Sequence, residues 1–208
     1  MVFPFRANFI NIAYIWKKNG MANLYIIAGC NGAGKTTASY TVLPDMLNCK
    51  EFVNADEIAK GLSPFQPDNV AIQSGRIMLA RIKDLTNRNV DFALETTLST
   101  RIYVQFIREA NEKGYFITLV YFWLNSPELA LERVKARVIA GGHNIPEDVI
   151  YRRYWAGTRN LSKVYLPICD YWLIIDNSEP PFQIIAEGFK TENIEIYNQV
   201  IYNQIVKL

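Results

Sequence analysis

Eight consecutive residues, Gly29-Cys30-Asn31-Gly32-Ala33-Gly34-Lys35-Thr36, carry the spacing G-x-x-x-x-G-K-[ST]. Glycines let the backbone curl until several N–H groups point at one concavity, which suits the oxygens of a phosphate chain. Gly29, Asn31, Gly32, Ala33 and Gly34 would form that cradle. A helix starting at Lys35 would add the positive end of its dipole. Lys35 would reach the β- and γ-phosphates of a nucleoside triphosphate, the Thr36 hydroxyl would bind Mg²⁺, and Thr37 would stand beside them. A glycine-rich turn without a ligand is the competing reading. The placement between a strand-like and a helix-like stretch argues against it.

Three further segments hold residues that could work on such a phosphate. In Asn54-Ala55-Asp56-Glu57, Asp56 could take the proton of an attacking hydroxyl, or it could merely cap a helical turn. In Glu95-Thr96-Thr97-Leu98-Ser99-Thr100-Arg101, a glutamate directly follows an apolar run, where burial is costly without a partner or a job. Glu95 could hold a metal-bound water or a substrate hydroxyl, and the hydroxyl side chains around Thr97 could bind a polar acceptor. Between residues 132 and 163 there are seven basic residues against three acidic ones, with Arg133 and Arg137 on one helical face and Arg152 and Arg153 beyond Gly141-Gly142. Two arginine-bearing helices joined by a Gly-Gly hinge describe a lid that stabilises phosphoryl charge and excludes water, although a solvated basic face has the same composition. His143 reads as a loop-ordering hydrogen bonder.

The elements that must position these residues alternate. Strands are expected at residues 24–28, 51–54, 91–94, 115–124 and 171–175, with a sixth at 182–186. Helices are expected at 35–47 (bent or ended by Pro44), 69–87, 101–113 (closed by Gly114), from Ser126-Pro127-Glu128 to about 140, at 146–161, and from 192 to the C-terminus. Strands separated by long helices predict a doubly wound parallel α/β sheet flanked by helices, a P-loop NTPase of nucleotide-kinase type with a helical lid. In such sheets the loops after the strands hold the ligands, and those loops carry the residues named above.

Composition narrows the function classes. The 208 residues suit about one domain. Twenty-two basic against twenty acidic residues give a net charge of +2, which does not suggest a nucleic-acid-coating protein. Cys30, Cys49 and Cys169 are an odd, scattered set, pointing to neither a disulfide framework nor a zinc site and favouring the cytoplasm. No long uncharged apolar run predicts a membrane span. Residues 1–20 mix aromatics with Arg6, Asn8, Asn11, Lys17 and Lys18, unlike a secretory signal. They read as an N-terminal appendage that need not be native, ahead of a single kinase domain at 21–208 with its lid at about 133–160. A nucleic-acid end kinase and a nucleotide-binding regulatory module are the alternatives. Neither the N-K-x-D of guanine switches nor the apolar run ending in Asp-Glu of mechanical ATPases is present.

The segments AGCNGAGKTT, FVNADEIAKGLSPF, FALETTLSTR, RVKARVIAGGHNIPEDVIYRRY and IIDNS, in that order, resemble the zeta-toxin-like P-loop kinases. The resemblance covers about residues 24–178. It implies an ATP- and Mg²⁺-dependent kinase acting on a small-molecule hydroxyl, with UDP-N-acetylglucosamine the acceptor of the toxins proper and a small antitoxin protein as partner. It makes Lys35 and Thr36 the ATP–Mg²⁺ contacts, Asp56 the catalytic base, and Glu95 and Thr97 the substrate-holding pair. Arg137 and one of Arg152 or Arg153 become the lid arginines, and Arg133 an adenine-stacking residue. The family pattern Glu-x-Thr-x-Arg is not fully kept: Ser99 stands at the arginine position and Arg101 follows two residues later. Arg101 is the remaining candidate for the acceptor, and this departure leaves the acceptor open.

Overall fold

The computed structural model describes residues 21–208 apart from Met46, His143 and Thr191. The readings of residues 1–20 and of His143 therefore lie outside the described residues. Seven strands form one sheet: β1 (Asn23–Gly29), β2 (Phe52–Val53), β3 (Phe92–Thr96), β4 (Phe116–Trp123), β5 (Tyr171–Asp176), β6 (Gln183–Phe189) and β7 (Glu192–Ile196), in the order β2-β3-β1-β4-β5-β6-β7. The first five run parallel, while β6 and β7 are added antiparallel at one edge.

Apolar residues occupy both faces of the central strands, so each strand feeds two cores. Leu24, Ile26 and Ala28 of β1 face one core, with Ile117 and Leu119 of β4; Tyr25 and Ile27 face the other, with Val120 and Phe122. On the first face pack α3 (Ala71–Asn87) through Met78, Ile82 and Leu85, α4 (Tyr103–Glu112) through Ile107 and Ala110, and α7 (Gln199–Val206) through Ile205. On the second pack α1 (Lys35–Asp45), α5 (Pro127–Ile139) and α6 (Glu147–Asn160). The short α2 (Ala55–Leu62) follows β2, and a 3₁₀ turn, Pro67–Val70, precedes α3.

One element joins the two layers. Helix α6 gives Ile150 and Tyr154 to the second core, then runs on through a π-helical turn, Leu161–Tyr165, whose Leu161 and Tyr165 belong to the first. It therefore crosses the carboxyl ends of the strands.

The helix expected from residue 192 onward is corrected. Glu192–Ile196 is a strand, with Ala186 opposite Ile196 and Glu187 opposite Glu195. Lys190 at φ 52° and Asn193 at φ 49° turn the chain back, and Asn198 then caps α7 by accepting from the Ile201 N–H. Every residue of β7 is exposed, so burial leaves no periodic mark there. Among the described residues no helix is long and apolar enough to cross a membrane.

Ile26 is fully buried at the centre of β1. Ile26→Ala is expected to destabilise the chain by about 2–5 kcal/mol, read as a lower urea midpoint at unchanged slope.

Candidate active site

Three strand ends meet. Gly29 pairs with Phe122 of β4, and Ala28 with Thr96 of β3, so the loops after β1, β3 and β4 lie side by side. Gly29 has φ 142° and no room for a side chain: a Cβ there would stand 2.3 Å from the Phe122 carbonyl oxygen. Gly34, at φ 85°, is crowded by the Asn177 amide, whose Nδ2 donates to the Ala33 carbonyl at 2.9 Å. The loop from Gly29 to Thr36 is thus bent by glycine and pinned from β4 and β5.

Inside this bend Lys35 is 6% exposed, and its Nζ donates to the Cys30 carbonyl at 2.9 Å. It also stands 3.6 Å from Glu95 Oε1. Glu95 Oε2 accepts from Thr36 Oγ1 at 2.8 Å and from Asn54 Nδ2 at 2.9 Å. Glu95 thus touches both working side chains of the phosphate loop and Asn54, while Thr97 and Ser99 lie on the same cavity wall. Asn54 does two jobs: its Oδ1 caps α2 by accepting from the Asp56 and Glu57 N–H groups. Asp56 is thereby both at a helix N-terminus and beside the phosphate loop. Among the described residues no group of three or more His, Cys, Asp or Glu could hold a metal ion. The donors present fit Mg²⁺, which is held by few protein oxygens together with phosphates and waters.

The Cys30 thiol, buried in the same loop, is pushed up to about 11, burial outweighing the nearby Lys35 charge that would lower it. It stays protonated at neutral pH and serves as packing.

Two cavities adjoin. The first, about 200 Å³, is lined by Asn31, Lys35, Asp56, Glu95 and Arg153, with a hydroxyl wall from Thr96, Thr97, Ser99, Thr100 and Tyr103. The second, about 430 Å³, lies between α2, the 3₁₀ turn, the start of α3 and α6; Asp68, Ser74, Ile145, Pro146 and Arg152 line it. Ala55, Asp56 and Arg153 belong to both.

The arginine candidates separate. Arg153 Nη1 donates to Asn31 Oδ1 in the phosphate loop at 3.3 Å, while Arg152 faces the second cavity alone. Arg133 is held by the Ser178 carbonyl at 2.8 Å and so lies beside the strand that ends in Asp176. Arg137 and Arg101 are exposed and line neither cavity. Thr37 is exposed on the first turn of α1. The inner faces of the lid helices are core, through Ala130, Val134, Ile150 and Tyr154. Near the end of α5, Lys135, Arg137 and Ile139 are exposed while Val138 still packs against that core.

Sequence reading misses the brace under the third loop. Leu98 is fully buried at φ 55°, a left-handed conformation that a leucine rarely takes. It is held from three sides: its N–H donates to Thr96 Oγ1 at 3.1 Å, its carbonyl accepts from Asn160 Nδ2 at 2.8 Å, and Tyr165 donates to the Thr100 carbonyl at 2.6 Å. The Thr97 and Ser99 hydroxyls then lie 2.9 Å apart in the first cavity. The one available signal is the lone Gly157 inside a helix.

The zeta toxin family model matches residues 16–179. An uncharacterised protein of Haemophilus influenzae is 32% identical over 140 residues, which is 67% of this chain and 96% of that protein. Two solved structures share the fold. The ATP-bound AvrRxo1-ORF1:-ORF2 complex aligns over 97% of this chain and 68% of its own at 18% identity and a TM-score of 0.75. The structure from the PezAT chromosomal toxin–antitoxin system of Streptococcus pneumoniae aligns over 98% and 88% at 15% identity and a TM-score of 0.62.

A Cβ on Gly157 would stand 2.3 Å from the Thr97 carbonyl. Gly157→Ala is therefore expected to cost about 1–3 kcal/mol by pushing the third loop away from α6, measured by denaturant unfolding. An unchanged midpoint would show that the loop does not depend on α6.

Proposed function

The chain belongs to the zeta toxin family, and we propose that it is a kinase moving the γ-phosphoryl group of ATP onto a hydroxyl of a small molecule. The observation that carries this reading is the position of Asp56. It stands on the shared wall of two cavities, one bearing the phosphate-loop lysine, the other large enough for the body of an acceptor.

The roles follow from the lining. The loop from Gly29 to Thr36 cradles the phosphates, with Lys35 as their buried cation. Thr36, with Glu95 beside it, would hold Mg²⁺, which would supply neutralisation of charge on the phosphate oxygens. Asp56 accepts the proton of the acceptor hydroxyl, which turns a weak nucleophile toward the phosphorus. The hydroxyl pair of Thr97 and Ser99 orients that acceptor. Arg153, reaching the phosphate loop through Asn31, steadies the transferring group. Arg152 holds the acceptor body in the second cavity. Arg133, fixed beside Ser178, lies at the adenine side. The end of α5, where Lys135, Arg137 and Ile139 are exposed, closes over the site, bringing Arg137 inward and excluding water, which would otherwise accept the phosphoryl group.

A sugar nucleotide such as UDP-N-acetylglucosamine is the first acceptor to test, and a small antitoxin protein is the proposed partner, in keeping with the toxin–antitoxin system to which the PezAT structure belongs. Residues 21–208 act as a single kinase domain in the cytoplasm, where three buried cysteines outside any disulfide are at home.

Incubation with ATP, Mg²⁺ and UDP-N-acetylglucosamine, read by mass spectrometry, should yield a sugar nucleotide heavier by one phosphate. No product alongside measurable ATP binding would reject that acceptor and send the search to a metabolite pool. Asp56→Asn should lower the transfer rate by about 10²–10⁴ while leaving ATP affinity nearly intact; unchanged turnover would remove Asp56 as the base. Arg153→Ala should fall mainly on kcat and Arg152→Ala on the acceptor KM, each by about tenfold or more, in steady-state kinetics.

A further inference from the structure

The two side chains by which a phosphate loop grips a nucleotide, Lys35 and Thr36, are both engaged by one carboxylate. Glu95 Oε2 accepts a hydrogen bond from the Thr36 hydroxyl at 2.8 Å, and Oε1 stands 3.6 Å from Lys35 Nζ. The side chains of Lys35 and Glu95 are only 6% and 9% exposed, so water screens little of this contact. Asn54 Nδ2 donates to the same Oε2 at 2.9 Å and fixes the carboxylate from the far side. A triphosphate entering this pocket meets a lysine whose charge is already matched and a fixed anion beside it. Two anions on one buried ammonium repel each other. A divalent cation held there would reverse the sign, because its charge would attract the carboxylate and the phosphates alike.

We propose that Glu95 is a gate that couples nucleotide binding to metal binding: it blocks the phosphate loop against metal-free nucleotide and admits the metal-bound form. Asn54 is the positioning residue of this gate. Its amide nitrogen holds Glu95 while its amide oxygen caps α2 at Asp56, so the carboxylate that guards the phosphates and the one beside the acceptor share one support. The gate rests on the nucleotide-binding reading above and adds to it an order: metal and nucleotide enter together.

The test is calorimetric titration of the full chain with ATP, once in EDTA and once in excess Mg²⁺. Wild-type protein should bind ATP on the order of tenfold or more tightly with the metal, a normal size for coupling between two ligands. Glu95→Gln keeps the shape and removes the charge. It should bind metal-free ATP about tenfold more tightly than wild type does, so that the ratio of the two dissociation constants falls toward one. Glu95→Ala reads the same way if the glutamine variant melts early. Variants that keep the wild-type ratio, or that bind metal-free ATP more weakly than wild type, would overturn the gate. Wild-type protein that binds no ATP under either condition would instead remove the nucleotide-binding reading itself.

Discussion

A carboxylate taken almost out of water has to be met by donors on all sides, and Glu95 sets that demand at the end of β3. Its partners come from three separate places: Lys35 and Thr36 from the loop after β1, Asn54 from the loop after β2. No single segment can supply them. They converge because β2, β3 and β1 are neighbours in the sheet, with Ile27 opposite Glu95 and Val53 opposite Leu94. The sheet order and the charge network are thus one constraint. Breaking such a buried pair from one side leaves an unmatched charge, which costs far more than the pair contributes as a whole. The strand ends cannot slip without exposing that cost, and the catalytic loops are fixed by the same contacts.

The opposite side of the site is fixed by packing. Helix α6 is anchored in one core by Ile150 and Tyr154, and its π-helical continuation is anchored in the other by Leu161 and Tyr165. Between these anchors it meets Thr97 through the bare backbone of Gly157, the Leu98 carbonyl through Asn160, and the phosphate loop through Arg153. A helix held at both ends does not swing as a whole.

How much of this is legible in the sequence depends on the range of the interaction. The phosphate loop is readable because its whole geometry is local: glycines at set offsets, then Lys35 and Thr36. The central strands are readable because both faces are apolar and the runs are continuous. Helix α7 and strand β7 are not separated, because every residue of Glu192–Ile196 is exposed and only the Asn198 cap marks the true helix start. Asp56 and Glu95 stand out as acids after strands, yet the direction in which Glu95 turns is not in the sequence. It follows from the register of β3 against β1 and from Asn54, which caps α2 in place of the Asp56 expected there. Asn160 and Tyr165 are silent for the same reason: helical periodicity tells which face is apolar, not which loop lies under it.

Arg152 and Arg153 show what a static sequence motif hides. Successive residues on a helix point about 100° apart, so two adjacent guanidinium groups rarely serve one ligand atom. Here the ridge between the two cavities runs under α6, and the pair straddles it, Arg153 toward the phosphate loop and Arg152 toward Asp68 and Ser74. Asp56, on the same ridge, faces both. A phosphoryl donor and its acceptor must meet at one atom while remaining separately recognised, and a ridge bearing one carboxylate and two divergent cations satisfies both requirements. The second cavity is therefore free to vary in its outer wall without disturbing the phosphate loop. Ser99 stands apart from that outer wall, in the first cavity, where its hydroxyl pairs with that of Thr97.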